Sequence, residues 1–249
     1  MDFMVFQYPM ITVQACLDGI LLGILFALIA YGMALQWGVM NIINIAQGDL
    51  VILGGYIAYF MYLYGIHPAW GVIVSPIIMY FVGVGIYKLV INKVVDRDLF
   101  ISILATFGIS ILFMQLMNFA FGADVVLANS GYGARAAKIL GVDTEKVYAA
   151  TFGLNAALCG VAGALISITF TIHPYMGLPY TIRSFMIVIV AGLGNLPGVA
   201  MSGMGLGVFE EFADYILGTE FRIGSVFLLL VLILVYRRFK LSRKREYLK

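Results

Sequence analysis

The feature that most constrains this chain is a series of long segments without a charged side chain. They include Leu99–Phe121, Val147–Ile172 and Ser184–Phe209. About 20 consecutive apolar residues cross the ~30 Å hydrocarbon core of a bilayer as an α-helix. Each of these segments is therefore long enough to reach from one side of a membrane to the other.

The composition of the whole chain agrees with this interpretation. Of 249 residues, 63% are hydrophobic and 11% are charged, whereas an ordinary soluble domain has roughly 45–50% apolar and ~25% charged residues. This balance excludes a soluble globular enzyme. The 28 glycines favour close packing of helices through small side chains. We expect an all-α, polytopic membrane helix bundle in which residues 1–249 form a single transmembrane domain.

The sequence also predicts four further helices. Their apolar segments are Val13–Leu35, Leu50–Leu63, Ala69–Tyr87 and Ile223–Tyr236. Leu50–Leu63 is too short to span a membrane alone. We therefore expect this second helix to extend back through Trp37 and to be broken around Gly48, which is tolerated where the freed backbone is buried in protein.

Basic residues predict the orientation of the chain. Seven of its 15 Lys and Arg residues lie between Arg237 and Lys249, and such runs are cytoplasmic. By the same rule the loop Lys88–Phe100 and the stretch Ala128–Lys146 are expected inside. The motif GLGNLPG, within Ser184–Phe209, predicts a tight hairpin or a re-entrant loop. Its glycine spacing and a preceding membrane segment do not fit a dinucleotide-binding fingerprint.

This orientation leaves one crossing unaccounted for. Only the span Leu99–Phe121 separates two stretches that are both expected inside. The four residues Asp124–Leu127 extend at most ~14 Å and cannot return the chain across the membrane. We therefore expect a missing segment near residues 124–128, the alternative being that one inside assignment is wrong.

Polar side chains cluster where the second helix is expected to break. Such groups are costly inside a membrane and often mark a transport pathway, and broken helices can form a gate. The alternative is that they only cap helix ends. The candidate pathway or gate residues are Asn41, Asn44, Gln47, Gly48 and Asp49.

Other polar residues are interpreted more plainly. We expect Glu210, Glu211 and Asp214 to form a solvated outer rim, although a cation-coupled transporter could use such carboxylates. Arg183 is expected to extend to the membrane interface, the alternative being that it contacts an anionic group of the solute. The histidines and cysteines do not have the spacing of metal ligands, so no metal site is predicted.

The stretch after Leu127 contains a short amphipathic segment, Ala134–Leu140, followed by Gly141 and Val142 as a stop. An exposed cytoplasmic helix of this kind predicts docking of another protein. The segment ARAAKILGVDTEKVYAATF resembles the coupling loop of permease subunits in bacterial ABC importers of the branched-chain amino acid class. GVMNIINIAQGDLVILGGY and VIVAGLGNLPGVAMSGMGLGV are similar to two further motifs of that family, in the same order.

The resemblance implies a permease subunit for branched-chain amino acids or a related small polar solute, in a bacterial plasma (inner) membrane with a cytoplasmic C-terminus. Its implied partners are two ATPase subunits, a second permease chain of the same or a different kind, an external solute-binding protein and the lipid bilayer, with no nucleic acid. It implies no cofactor in this chain and no catalytic residue, since ATP and Mg would bind the ATPase subunits. The residues implied in ATPase coupling are Ala134, Arg135, Ala136, Ala137, Lys138, Gly141 and Val142.

Two other classes remain as alternatives. An ion-coupled secondary transporter or channel would need no ATPase and could use Asp18, Asp49 or Glu210 as a coupling group. An integral-membrane enzyme is less favoured, because no acid, base and nucleophile are found close together in the sequence.

Overall fold

The computed structural model describes the backbone of residues 9–95, 97–122, 144–192 and 194–246. Six helical segments in these ranges are long and apolar enough to cross a membrane. The predicted all-α, polytopic helix bundle is therefore confirmed. The eight α-helices of the described ranges are α1 Pro9–Met40, α2 Gln47–Leu63, α3 Gly71–Leu89, α4 Leu99–Phe121, α5 Thr144–Thr169, α6 Gly177–Ala191, α7 Leu196–Leu217 and α8 Arg222–Glu246.

Helix α5 lies at the centre of the bundle and packs against α1, α2 and α3. Small residues let the α2 and α5 backbones approach closely: Gly54 faces Gly160, and Gly55 faces Gly163. Gln47, earlier in α2, pairs with Asn155, which is earlier in α5 than Gly163, so α2 and α5 run parallel. By contrast, α4, and α8 as far as Tyr236, expose most of their apolar side chains.

Helices α1 and α7 form a second close pair through small residues. Gly19 and Gly23 of α1 lie against the backbone of Gly207 and Gly203 of α7, respectively, so the two helices are antiparallel. The close packing of helices that the glycine content favours is confirmed at these positions.

The segment Ser184–Phe209 divides at the predicted Gly-rich turn into the end of α6 and the start of α7. Gly192 and Gly194 adopt φ values of 86° and 78°, a left-handed conformation that glycine adopts without strain. The Asn195 side chain then caps α7 by accepting a hydrogen bond from the Gly198 N–H at 3.0 Å. The turn expected at GLGNLPG is confirmed as a helical hairpin.

The position predicted for the break in the second helix is wrong. Trp37 belongs to α1, which continues through Met40, and its ring stacks on Phe185 of α6 with 5.6 Å between ring centroids. Helix α1 ends at Met40. The next residue, Asn41, has a φ of 51°, a left-handed conformation that Asn tolerates better than most residues. The non-helical interruption therefore covers residues 41–46, and Gly48 lies in the first turn of α2.

Candidate functional site: two helices that begin inside the bundle

Helix α2 begins inside the bundle, well away from the end of α1. The Gln47 Nε2 donates a hydrogen bond to the Ile29 carbonyl oxygen at 3.0 Å. Met40 is the last residue of α1. At the usual helical rise, Ile29 lies about 16 Å before this end of the helix. Residues 41–46 therefore return alongside α1, and α2 starts at the level of Ile29.

Helix α6 begins at the same place. After α5 ends, Ile172 is fully buried beside Gly55 of α2. The chain then reaches Gly177, whose carbonyl oxygen lies against Gly48 so closely that a methyl group on Gly48 would overlap it. The first turns of α2 and α6 are thus in backbone contact. We refer to residues 45–49 and 177–181 as the junction.

Two threonine hydroxyls supply hydrogen bonds to the backbone that the interruption leaves unpaired. Thr181 of α6 accepts from the Gly48 N–H at 2.8 Å, and its Oγ1 lies 2.9 Å from the Ile45 carbonyl oxygen. Thr106 of α4 accepts from the Ile45 N–H at 3.2 Å and lies 3.2 Å from the Ile43 carbonyl oxygen. Non-helical backbone at membrane depth requires such partners, so the two hydroxyls make the interruption possible.

A pair of side-chain amides attaches the start of α2 to α5. Gln47 Nε2 donates to Asn155 Oδ1 at 2.8 Å, and Asn155 Nδ2 donates to Gln47 Oε1 at 2.9 Å. Both side chains are fully buried. Asn44 adds a local bond, because its Oδ1 accepts from the Ala46 N–H at 3.1 Å. The amides are neutral, so they satisfy one another without burying a net charge.

Asp49 is the carboxylate of the junction. Its side chain is 3% exposed, and the Ser110 hydroxyl of α4 donates to its Oδ2 at 2.5 Å. Its other carboxylate oxygen, Oδ1, lies against Gly177 of α6. Asp49 thereby joins three helices at the point where two of them begin.

The structure brings most of the candidate pathway residues together. Gln47, Gly48 and Asp49 lie buried at the junction, and Asn44 is buried directly before it. Asn41 differs from these residues because it is exposed. Its role is structural: its left-handed backbone conformation follows the last residue of α1.

Sequence reasoning missed the partners of these residues. Asn155, Thr106 and Thr181 each lie within an apolar helix, and none was chosen as a candidate. The available signal was that each is a polar side chain at membrane depth, where such groups need a partner.

A second polar cluster joins α6, α7 and α8. Arg183 donates through Nε and Nη2 to the carboxylate of Glu210, which is fully buried. Arg222 donates from Nε to Glu210 and from Nη2 to Glu211, each at 2.9 Å. Arg222 Nη1 also lies 3.7 Å from Asp214 Oδ2. We refer to these five residues as the ionic cluster.

Two expectations for this region are wrong. Glu210 is not on a solvated rim, because two guanidinium groups compensate its charge in the interior. Arg183 does not extend to the membrane interface; its guanidinium carbon lies 5.0 Å from the centroid of the Phe26 ring and pairs with Glu210. An unpaired carboxylate in the interior is very costly. The Arg183 guanidinium therefore pairs with Glu210 in the interior and does not extend to the membrane interface.

The predicted coupling residues lie outside the described ranges. These coupling residues are Ala134, Arg135, Ala136, Ala137, Lys138, Gly141 and Val142. The expected missing segment near residues 124–128 also lies outside the described ranges.

Comparison with known proteins identifies relatives of this chain. Residues 127–236 match a family model described as the permease component of the branched-chain amino acid transport system. The high-affinity branched-chain amino acid permease LivH of Salmonella typhimurium is 26% identical, with 89% of this chain and 92% of LivH aligned. BraD of Pseudomonas aeruginosa is 23% identical, with 90% of this chain and 93% of BraD aligned. A probable LivH of Methanocaldococcus jannaschii is 26% identical over 80% of each chain.

No solved structure gives a significant match. The alignment with the Salmonella LivH extends over 284 positions and is longer than this whole chain of 249 residues. That relative therefore contains segments without a counterpart here. Residues 127–236 are therefore similar to the permease component of branched-chain amino acid transport systems, and the curated relatives extend this similarity over 89–90% of the chain.

Proposed function

We propose that the chain is the membrane subunit of an ATP-driven importer for branched-chain amino acids or a related small polar solute, and that the solute crosses the membrane at the junction. The observation that carries this proposal is the contact between the first turns of α2 and α6 inside the bundle. Discontinuous helices of this kind form binding sites and gates in transporters, because their ends present unpaired backbone groups at membrane depth.

The junction has the properties of a closed gate. Gly48 and Gly177 leave no space between the two helix starts, and Thr181 bridges them by hydrogen bonds. Separating α2 from α6 would expose N–H groups of both first turns, which are favourable partners for a carboxylate. A solute carboxylate can therefore replace contacts that the closed gate loses when it opens.

In the proposed cycle this chain performs no chemistry. Two ATPase subunits bind ATP and Mg, dock at residues 134–142 and drive the bundle between outward-open and inward-open states. A second permease chain completes the pore, and a binding protein outside delivers the solute. The membrane is the bacterial plasma (inner) membrane. The basic C-terminal tail lies in the cytoplasm, because positively charged segments next to membrane helices remain on the cytoplasmic side.

We also propose that a segment found in relatives is missing from this sequence near residues 124–128. Two observations support this proposal. The short connection Asp124–Leu127 cannot cross a membrane, and the alignment with LivH is longer than this chain. A functional test therefore uses a chain into which that segment has been inserted from a relative.

The test is reconstitution of the importer in proteoliposomes, with its ATPase subunits and binding protein. We expect uptake of L-leucine to require ATP and to be lost when residues 135–141 are deleted or when Arg135→Glu reverses a charge there. Lys93→Glu is the matched control, because Lys93 is exposed on another loop expected inside. Uptake by the chain alone driven by an ion gradient would instead establish the secondary transporter.

A further inference from the structure

Two neighbouring cavities lie next to the junction, near the end of α7 and the start of α8. Their volumes are about 260 and 420 Å³. Both are bordered by Leu22 of α1, Phe170 after α5, and Arg222 of α8. They are therefore neighbouring parts of one recess between these helices.

The two cavities present opposite charges. The smaller cavity is lined by Arg183 and Arg222, and no carboxylate side chain of the described residues lines it. The larger cavity is lined by Asp18 and Glu211 together with Arg222. A ligand that lies across their boundary meets guanidinium groups on one side and carboxylates on the other.

The charged groups are held in place from behind. The buried Glu210 binds Arg183 and Arg222 simultaneously, and the Arg183 guanidinium is supported by the rings of Phe26 and Tyr180, at 5.0 and 5.8 Å. Arg183 uses Nε and Nη2 for Glu210, and its Nη1 has no hydrogen bond to any described residue. Preorganised donors of this kind bind a carboxylate at little cost in entropy.

Asp18 provides the complementary group. It is exposed in the larger cavity, and within the described part of the chain it forms no ion pair. The lining between the charges is apolar, with Leu22 and Phe170 shared by both cavities. The recess thus offers a cation, an anion and an apolar wall within one small volume.

We infer that this recess is an entry site for a small zwitterion with an apolar side chain, an α-amino acid. Its carboxylate faces Arg183 and Arg222, its ammonium faces Asp18 and Glu211, and its side chain lies against Leu22 and Phe170. This inference rests on the proposed function and deepens it by placing the solute before the gate opens. Phe26 and Tyr180 form the floor, and Ile29, one turn beyond Phe26, already contacts Gln47 of the junction.

The experiment measures binding to the importer without its external binding protein, so that only the membrane subunits contribute. The complex in lipid nanodiscs is titrated with three probes by saturation-transfer NMR. L-Leucine carries both charges, 4-methylpentanoate lacks the ammonium, and leucinamide lacks the carboxylate. ATP-driven uptake of L-leucine by the complete importer is measured in parallel.

Each half of the recess has its own variant. Asp18→Asn should weaken binding of L-leucine and leucinamide about tenfold and leave 4-methylpentanoate unchanged. The double variant Arg183→Met with Glu210→Gln removes a charge pair together, so no buried charge is left alone. It should weaken L-leucine and 4-methylpentanoate and leave leucinamide unchanged. Glu220→Gln is the control, since Glu220 is exposed nearby and lines neither cavity.

The outcomes separate this inference from the proposed function. If the importer takes up L-leucine but the variants affect all three probes equally, or none of them, the entry site is wrong and the proposed function stands. If the charge-specific pattern appears without ATP-driven uptake, the entry site is supported and the ATP-driven mechanism is wrong. Should Asp18→Asn and the double variant change the same probe alone, the assignment of opposite charges to the two halves is contradicted.

Discussion

Helix α6 carries two polar side chains, two residues apart, that take part in different kinds of buried polar site. Thr181 belongs to the junction, where amides, hydroxyls and backbone groups pair and Asp49 is held by Ser110. Arg183 belongs to the ionic cluster, where the fully buried Glu210 carboxylate forms ion pairs with two guanidinium groups. The junction depends mainly on neutral hydrogen bonds, and the cluster on charges.

The difference indicates which region can move. Hydrogen bonds between helices in a membrane are worth about 0.6 kcal/mol each on average, so a few of them can be exchanged for bonds to water or solute. Removing a partner from a buried ion pair costs about 3–5 kcal/mol. We therefore expect the junction to open during transport while the ionic cluster holds α6, α7 and α8 together.

The largest effect should come from breaking the ionic cluster. Glu210→Ala leaves Arg183 without a compensating charge, and we expect a loss of about 3–5 kcal/mol in unfolding free energy, measured by unfolding in detergent. The exposed Glu220→Gln should change stability by less than about 0.5 kcal/mol. Equal stabilities of the two variants would show that the cluster is not an anchor.

The next effect tests the backbone contact at the junction. Gly48→Ala places a methyl group against the Gly177 carbonyl oxygen, and we expect a loss of about 1–3 kcal/mol from overpacking. Gly108→Ala in α4 is the control, because a methyl group there meets open space and should be neutral or stabilising by about 0.5–1 kcal/mol. A Gly48→Ala protein as stable as wild type would mean that α2 and α6 are not in contact.

An effect of similar size concerns the amide pair. Asn155→Leu leaves the Gln47 amide without its α5 partner and should cost about 1–3 kcal/mol. The double variant with Gln47→Met should recover part of this loss, because no unpaired amide remains. The double-mutant cycle should give a coupling energy of about 0.6–1.7 kcal/mol; a coupling near zero would contradict the pairing.

The smallest effect should come from a single hydroxyl. Thr181→Val removes the partner of the Gly48 N–H and the Ile45 carbonyl, and we expect a loss of about 1 kcal/mol. Thr169→Val is the control, because that hydroxyl bonds only to carbonyls of its own helix among the described residues. If both variants lose equal stability, Thr181 has no special role in bridging the two helices.

Much of this fold was predictable from the apolar segments. The charge-free run Leu99–Phe121 coincides with α4, and GLGNLPG forms the predicted turn, because membrane depth sets helix length and glycine marks the turn. The end of α1 was harder to place. Nothing in the sequence between Leu35 and Met40 stops a helix, and the actual stop depends on the left-handed backbone of Asn41.

The candidate site was predictable only in part. The cluster Asn44–Asp49 stood out because several polar residues lie close together in the sequence. Its partners Asn155 and Thr181 come from distant helices, and only the packing of α5 and α6 brings them near. Glu210 and Arg183 were misassigned for the same reason, since a charge near a helix end looks the same in sequence whether or not a partner lies beside it.

The most direct test of the central claim compares accessibility at the two regions during transport. Thr181 and Ala213 are both buried, at 6% exposure each, and Ala213 lies beside the ionic cluster on α7. Each is replaced by Cys in an active importer without Cys16 and Cys159, and labelling by a small water-soluble thiol reagent is measured at rest and during ATP-driven uptake. We predict that Thr181→Cys becomes labelled only during uptake and that Ala213→Cys stays unlabelled. An unlabelled Thr181→Cys during active uptake, or equal labelling at both positions, would contradict the proposal that the junction is the gate.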